Sequence, residues 1–311
     1  MTQTSSQLES GEEQVRALRG VVVGYDGSSS AAPALVWAAA EAARRGVGLT
    51  TLYAADAGAS AGMLAAAPDL VTGAEALAHE VAADGAATAR RSRDDVPVTA
   101  ATRLADAATA LVEASRTAEL VVVGNRGRGA LAGAVLGSVA FTVTAHAHCP
   151  VVVVRGDGEG SPDAQHPVVV GVDGSAGSAA ALRFAAGVAD RSGATLRVVS
   201  AWTPPEVLAT SISYGAALDP GLVDGVRRAA EQDVEEAVAQ VRADLPGLAV
   251  ERSVVQDPAR RALVQASAEA GLLVVGARGH GSVSGLFLGS VSHAAIHGAP
   301  CPVAVVRAPK H

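Results

Sequence analysis

The feature that most restricts how this 311-residue chain can fold is that its second half repeats its first half. Equivalent segments are 147 residues apart early in the copies and 152 apart late, so the second copy has five additional residues in its middle. Repeats of this length indicate duplication of a whole domain. The matching segments are VVVGYDGSSSAA (21–32) with VVVGVDGSAGSAA (from Val168), ALVEAS (110–115) with ALVQAS (262–267), LVVVGNRGRGALAGAVLGSV (120–139) with LLVVGARGHGSVSGLFLGSV (272–291), and HCPVVVVR (148–155) with PCPVAVVR (300–307).

The repeat divides the chain into four segments. Residues 1–18 are polar and predict a flexible lead-in, and residues 19–155 form the first copy. Residues 156–166, GDGEGSPDAQH, have the glycine, proline and acid content of a linker, and residues 167–311 form the second copy. Each copy is long enough to bury a core of its own.

Each copy is predicted to contain five strands separated by helices. Short runs of Val and Leu without polar alternation are typical of strands covered on both faces, as in parallel sheets beneath helices. We therefore expect an α/β fold with a five-stranded, Rossmann-like parallel sheet in each copy and ligands at the carboxyl ends of the strands. The predicted strands lie near 20–24, 49–54, 97–103, 119–124, 150–155, 167–172, 195–201, 248–254, 272–276 and 302–307, and the predicted helices of the first copy near 29–45, 70–92, 106–117 and 137–147.

A glycine motif of identical spacing follows the fourth predicted strand of each copy. Free backbone N–H groups, a hydroxyl and the positive end of a helix dipole form a phosphate site when such a loop opens a helix. Glycine is needed there if the backbone takes a positive φ or comes too close to a ligand for a Cβ. The alternative is a tight strand-to-helix turn, but the duplication, the fixed spacing and the closing Gly-Ser favour phosphate. The motif is Gly124-x2-Gly127-x9-Gly137-Ser138 and Gly276-x2-Gly279-x9-Gly289-Ser290.

An aspartate follows the first predicted strand of each copy, at Asp26 and Asp173. A carboxylate at this place can accept from a ribose hydroxyl or face a cation bound to phosphate. The alternative role of an Asp-Gly-Ser sequence is to form the turn or cap the next helix. Its position beside the glycine motif favours ligand contact.

Other side chains in and near the glycine segments have more than one interpretation. The basic residues of the loops are either ligands of the phosphates or charges exposed to solvent. They are Arg126, Arg128, Arg278 and His280. Two histidine pairs have spacings that chelate metals, but no third ligand is suggested nearby, so no metal site is predicted; the pairs are His146 with His148 and His293 with His297.

Composition and motif spacing argue against several classes of partner. The net charge of −7 gives no general attraction to nucleic acid or anionic membrane, and no stretch of about 20 apolar residues or export signal is apparent. The two cysteines have no metal-type spacing, which favours a reducing, cytoplasmic location. The loops lack the lysine of a Walker motif, the first loops lack the SGGxDS pattern of pyrophosphatase-type ligases, and the glycines do not follow the first strand as in dinucleotide-binding folds.

The Asp-Gly-Ser start, the glycine motif and the closing C-P-V-x-V-V-R strand resemble the universal stress protein family, and both copies match over their length. The resemblance implies the adenine nucleotide alpha hydrolase-like variant of the Rossmann-like fold. It also implies ATP, with Mg²⁺, lying across the carboxyl edge, adenine near the ends of the first two strands and phosphates on the glycine loop. Carried over by position, the binding residues are Gly24, Tyr25, Asp26, Ala54, Gly124, Gly127, Gly137, Ser138 and Val139 in the first copy, and Gly171, Val172, Asp173, Ala201, Gly276, Gly279, Gly289, Ser290, Val291 and Ser292 in the second.

One position separates the two predicted sites. The family pattern often has a second hydroxyl two residues after the first, which the second copy keeps as Ser292 and the first replaces with Ala140. Loss of one donor to a charged oxygen costs about 1.5–3 kcal/mol, so the first copy is expected to bind nucleotide more weakly by about one to two powers of ten.

The resemblance points to a stress-response regulator whose ATP occupancy changes its interactions with a protein partner that the sequence does not name. It implies no enzymatic activity beyond weak ATP hydrolysis. The alternatives are a slow ATPase or phosphotransferase, in which Asp26 or Asp173 positions Mg²⁺ or a water, and a scaffold with vestigial sites.

The closing strands, 151–155 and 303–307, generate a prediction about assembly. Both lack polar alternation, and sheet edges of this kind invite pairing. In the resembled family the last strands pair across a pseudo-twofold axis, so we expect the two copies to pair within the chain, with a homodimer through a related surface as a further option. Val153→Pro should remove a ladder hydrogen bond and loosen this pairing. An unchanged melting temperature and hydrodynamic radius in Val153→Pro would remove the support for it.

Overall fold

The computed structural model describes residues 18–55, 68–128, 136–156, 161–204, 220–280 and 288–308. The chain forms two compact units, Met1–Glu159 and Gly160–His311. The division lies inside the segment 156–166 that is predicted to be a linker. Residues 1–17 of the predicted lead-in lie outside the described residues.

The first unit alternates strands and helices. Its described elements are β1 (Val21–Gly24), α1 (Ala31–Arg45), β2 (Leu49–Ala55), α2 (Pro68–Ser92), β3 (Val98–Leu104), α3 (Ala107–Ala114), β4 (Leu120–Gly124), α4 (Ser138–His146) and β5 (Val151–Val154). The strands form a parallel sheet in the order β3-β2-β1-β4-β5. Its core consists mainly of Val, Leu and Ala side chains, around the fully buried Trp37 of α1.

The second unit repeats this arrangement. Its described elements are β6 (Val168–Gly171), α5 (Ala176–Ser192), β7 (Leu196–Trp202), α6 (Pro220–Asp244), β8 (Val250–Gln256), α7 (Ala259–Ala266), β9 (Leu272–Gly276), α8 (Ser290–Gly298) and β10 (Val303–Val306). The strands are parallel in the order β10-β9-β6-β7-β8. The connection from β7 to α6 is five residues longer than that from β2 to α2, which locates the additional residues of the second copy.

The α/β class and the five parallel strands per copy are confirmed. Each strand begins and ends within two residues of its predicted bounds. Helix α3 stops at Ala114, three residues before its predicted end, because the backbone turns at Ser115. Among the described helices, none is long and apolar enough to cross a membrane.

The expectation that every strand is covered on both faces is wrong for β3 and β8. All their residues are half-buried or exposed, and none is fully buried. Each lies at the end of its unit's strand order, and a long helix packs on it, α2 on β3 and α6 on β8. The Thr, Arg, Glu and Gln residues of these strands are the polar residues that such an edge position tolerates.

Part of the predicted linker packs on the second unit. Pro162 is buried, and its Cα lies 2.6 Å from the place that a Cβ on Gly271 would take. The Asp163 carboxylate accepts hydrogen bonds of 2.8 Å from the backbone N–H groups of Gln165 and His166, which closes the turn that leads into β6. This stretch therefore has a fixed course along the second unit.

Strand order determines where a ligand can lie in each unit. In the first unit, α1 leads from β1 to β2 on one side, while β4 borders β1 on the other. The second unit has the same arrangement with β7, β6 and β9. In parallel α/β sheets the crevice at such a change of direction, beyond the carboxyl ends of the strands, is the usual ligand site.

Candidate functional site

The aspartate after β1 links the first turn to the glycine loop. One oxygen of Asp26 accepts from the backbone N–H of Ser28 at 3.0 Å, and the other accepts from the backbone N–H of Arg128 at 2.9 Å. The carboxylate therefore stabilises the local turn, which is the structural role that the Asp-Gly-Ser sequence predicts beside ligand contact. It also holds a segment 102 residues away in the chain.

Asp173 does the same in the second unit. One of its oxygens accepts from the backbone N–H and the hydroxyl of Ser175, at 3.1 and 2.6 Å, and the other from the backbone N–H of His280 at 3.4 Å. Burial acts to raise the pKa of Asp173, but hydrogen bonds, chiefly from Ser175, outweigh it and lower the pKa below the ordinary 3.8. The carboxylate is thus ionised at neutral pH.

The first glycine of each motif is required by the protein itself. A Cβ on Gly124 would lie 2.5 Å from the backbone oxygen of Ser30, and a Cβ on Gly276 would lie 2.8 Å from the backbone carbon of Gly177. These contacts arise because the chain just before α1, and the first turn of α5, pass directly over the end of the neighbouring strand. The fold alone accounts for glycine at these two positions.

The second glycine is required by the aspartate. A Cβ on Gly127 would lie 2.8 Å from Oδ2 of Asp26, and a Cβ on Gly279 would press still closer on Oδ2 of Asp173. None of the described motif glycines has a positive φ, whereas Gly27 and Gly174 of the Asp-Gly-Ser turns do. Positive φ, one of the two reasons expected for glycine in the motif, therefore does not apply, and the close approach of other atoms explains the second glycine.

The third glycine has no such requirement from the protein. The nearest atoms to a Cβ on Gly137 or Gly289 are 3.5 Å away, which is ordinary contact. The φ values of −79° and −77° suit any residue. Both glycines precede a helix start, Ser138 in α4 and Ser290 in α8, where the first N–H groups have no intrahelical partners. Both are N-cap residues, a position that glycine favours, and each leaves a bare backbone beside a helix N-terminus.

A cleft opens at this edge of the second unit. It measures about 800 Å³ when its solvent-open mouth is included. All the residues that the resemblance assigns to the second copy line it, namely Gly171, Val172, Asp173, Ala201, Gly276, Gly279, Gly289, Ser290, Val291 and Ser292. Sequence reasoning missed five further lining residues, Ser178, Val199, Ala259, Leu263 and Val275. They come from α5, β7, α7 and β9, and only the fold topology identifies them.

The loop cations of the second unit, Arg278 and His280, also line this cleft, and both are exposed. The lining thus combines basic side chains and backbone N–H groups with the apolar side chains Val172, Val199 and Leu263. A lining of this composition suits a ligand with a flat apolar part and an anionic part.

Ser292 braces the loop from inside. Its hydroxyl is buried and lies 3.1 Å from the carbonyl oxygen of Ala277 and 2.9 Å from that of Gly289. The hydroxyl proton is therefore already used within the protein. The corresponding Ala140 of the first unit removes an internal brace, and not a phosphate donor as the sequence suggested.

The first unit carries the same framework at the ends of β1, β2 and β4. Gly24, Tyr25, Asp26 and Ala54 lie at the ends of β1 and β2, Gly124 and Gly127 follow along β4 and its loop, and Gly137, Ser138 and Val139 lie at the start of α4. Residues 129–135 and 281–287 of the two loops lie outside the described residues.

Tyr25 makes a contact that the sequence does not indicate. Its hydroxyl donates to a carboxylate oxygen of Asp84 at 2.9 Å, and its ring packs on Gly85 of α2. Burial, followed by the hydrogen bond to Asp84, raises the pKa of Tyr25 to about 12. The side chain thus joins β1 to α2, and only its backbone remains for a ligand at this edge.

The four histidines of the two pairs are not among the residues that line the cleft of the second unit. The rings of His293 and His297 stack with centroids 4.1 Å apart, and Nδ1 of His297 lies 2.8 Å from the carbonyl oxygen of His293. Nδ1 of His146 lies 2.9 Å from the carbonyl oxygen of Thr142. The described residues include no cluster of three or more His, Cys, Asp or Glu side chains suited to a metal ion.

Comparison with known proteins identifies the family. The model of the universal stress protein family matches twice, at residues 18–155 and 165–307. The chain belongs to the universal stress protein family. A universal stress protein of Mycobacterium tuberculosis is 37% identical over 310 residues, covering 94% of this chain and 98% of that protein.

A solved structure of a universal stress protein has the same fold as this chain. The crystal structure of one from Archaeoglobus fulgidus has a TM-score of 0.67 at 19% identity and covers 93% of this chain and 98% of that one. Another universal stress protein, described as a complex with cAMP, is 27% identical, with a TM-score of 0.33, over 44% of this chain and 96% of that one.

Because the first and third glycines of the motif differ in the space around them, substitution by alanine should have different effects at the two positions. Gly289→Ala should change the free energy of unfolding by less than about 1 kcal/mol, because the Cβ finds space and the φ is ordinary. Gly276→Ala should cost about 1–3 kcal/mol, because its Cβ meets the backbone of Gly177. Denaturant unfolding of both variants tests this, with Gly137→Ala and Gly124→Ala as the matched pair in the first unit. Equal losses at Gly276 and Gly289 would contradict the distinction.

Proposed function

We propose that each unit binds one ATP at the carboxyl edge of its sheet and that nucleotide occupancy regulates the interactions of the chain. The observation that carries the proposal is the pair Gly137 and Gly289. At both, the protein leaves room for a side chain beside a helix N-terminus, and yet the residue is glycine in both copies. Close approach of an anionic ligand explains this.

In the second unit the phosphates would meet the backbone of the glycine loop and the start of α8. The N–H groups of Ser290 and Val291 belong to the first turn of that helix, and the positive end of the helix dipole favours an anion. Arg278 and His280 would add charge at the cleft mouth. Mg²⁺ in such sites is held by one or two carboxylates together with the phosphates of the nucleotide.

The apolar lining residues would take the adenine. Val172 follows β6, and the Leu263 side chain of α7 reaches Gly171 at the end of that strand. Val199 and Ala201 lie along β7, and the family resemblance implies the base near the ends of these two strands. Burial of a flat base against such side chains supplies affinity without a specific charge.

The local chemistry favours a regulator over an ATPase. A general base works best when its pKa lies near the working pH. The pKa of Asp173 is lowered below 3.8, and both of its oxygens already accept hydrogen bonds from the protein. Asp173 thus acts better as a brace for the phosphate loop than as an acceptor of a proton from water.

Binding stoichiometry tests the proposal. Calorimetric titration of the full chain with ATP in Mg²⁺ buffer should give two nucleotides per chain, with the second site tighter because Ser292 fixes its loop. Gly137→Ala and Gly289→Ala should each leave one site, because each Cβ enters the space of a phosphate. The variant with both substitutions should bind no nucleotide. Titration with cAMP in place of ATP compares the two nucleotides at the same sites. Loss of all binding in Gly289→Ala, with none lost in Gly137→Ala, would mean that the first site is vestigial.

Turnover distinguishes the regulator from the enzyme. We expect ATP hydrolysis by the purified chain far below about 1 s⁻¹, the low end of ordinary enzyme rates. Asp173→Asn keeps the shape of the side chain but weakens its hold on the loop, so it should lower ATP affinity. Phosphate release above that rate, abolished in Asp173→Asn at unchanged ATP affinity, would establish the ATPase alternative.

A further inference from the structure

We propose that the two sites differ in charge selectivity: the first favours free ATP, and the second favours the Mg²⁺ complex of ATP. This inference rests on the proposed function, since it assumes that ATP binds at both carboxyl edges. It is carried by two substitutions between the copies, Val81 to Asp233 and Arg128 to His280.

The first substitution lies over the Asp-Gly-Ser turn. Helices α2 and α6 have 25 residues each and align at the spacing of 152, so Asp233 takes the place of Val81. Both face the glycine that follows the site aspartate, Gly27 or Gly174, and both glycines have a φ of 76°. A Cβ on Gly27 would lie 3.8 Å from Cγ1 of Val81, and one on Gly174 would lie 2.7 Å from Oδ1 of Asp233. An apolar neighbour in the first unit thus becomes a carboxylate in the second.

The second substitution lies in the glycine loop. Arg128 and His280 use the same backbone N–H to hold the site aspartate, so their side chains start from equivalent points. Nε2 of His280 lies 3.6 Å from the Cβ position of Gly174, close to the Asp233 carboxylate. The planar guanidinium of arginine presents several N–H donors in a fork that matches phosphate oxygens, and a histidine ring does not reproduce that fork. The second loop therefore lacks a phosphate-binding side chain that the first loop has at this position.

The carboxylates of the second unit are close enough to repel each other. The pKa of Asp233 is raised, first by burial and then by the charges of Asp173 and Glu236, while His280 opposes the shift. In the first unit the acidic residue of α2 near the turn, Asp84, accepts a hydrogen bond from Tyr25. The second site therefore has an excess of negative charge that a divalent cation would relieve, and carboxylates combined with phosphates are the usual ligands of Mg²⁺.

The expected size of the effect follows from Coulomb's law. For an assumed separation of about 9 Å and an effective dielectric constant of about 40–80, two unit charges change an affinity roughly two- to fivefold. In charge, the second site differs from the first by the added carboxylate of Asp233 and by the loss of the arginine side chain from its loop. Mg²⁺ cancels two charges of the phosphate chain, so the factor for the carboxylate is squared, and the Mg²⁺ preference of the second site should exceed that of the first by roughly tenfold.

Single-site variants of the full chain measure this preference. Gly289→Ala reports on the first site and Gly137→Ala on the second, and each is titrated with ATP in excess EDTA and in excess MgCl₂ at equal ionic strength. The ratio of the two dissociation constants should be roughly tenfold larger at the second site. A ratio that agrees within about twofold between the sites would overturn the inference while leaving the proposed function intact. Absence of ATP binding under both conditions would overturn the proposed function itself.

Charge variants test the cause. In the Gly137→Ala background, Asp233→Asn should reduce the Mg²⁺ preference roughly tenfold, because Mg²⁺ changes the charge of the ligand by two, and in the Gly289→Ala background Val81→Asp should increase it by a similar factor. Glu235→Gln is the matched control, because Glu235 lies on the same helix but pairs with Arg252. An equal effect of Asp233→Asn and Glu235→Gln, or tighter binding of AMP than of Mg²⁺-ATP at the second site, would contradict the assignment. Circular dichroism of each variant verifies that it is folded.

Discussion

The geometry of each edge depends on one carboxylate that accepts hydrogen bonds from two distant parts of the chain. Asp26 holds the backbone at Ser28 and Arg128, and Asp173 holds that at Ser175 and His280. The aspartate thereby fixes the loop after the fourth strand of each unit to the turn after the first, and in the first unit the Ser30 hydroxyl adds a second link by donating to the Arg126 carbonyl oxygen at 3.0 Å. Ionised acceptors make stronger hydrogen bonds than neutral ones, so the charge of the aspartate is part of the framework and not only a feature of the ligand surface.

The strands could be predicted from sequence because the chemical pattern that defines them is local. Runs such as VVVG and LVVVG need only their own composition and their glycine to mark a buried strand and its end. The ten residues that the resemblance assigns to the second site also come together, because parallel strands bring their carboxyl ends to one edge. The exposure of β3 could not be predicted, because it depends on which strand lies at the end of the sheet.

What the sequence could not supply is the direction in which each side chain points. Ser292 appears as a hydroxyl available to phosphate until the carbonyl oxygens of Ala277 and Gly289 are found beside it. Tyr25 has the position of a binding residue, but its ring turns to α2. The three glycines of one motif also have different surroundings. The sequence does not reveal this, because the atoms that a Cβ would meet come from parts of the chain far away in sequence.

Helices α4 and α8 begin at the ends of the two glycine loops, and each has nine residues, so it reaches about 13 Å from its loop. Along that length the copies have diverged: the exposed Phe141 of α4 corresponds to the exposed His293 of α8. A hydrocarbon ring and an imidazole offer different recognition chemistry at equivalent distances from equivalent loops. After duplication the two helices have kept the same Gly-Ser start but differ in this exposed side chain. A macromolecule that contacts one helix therefore meets a different surface on the other.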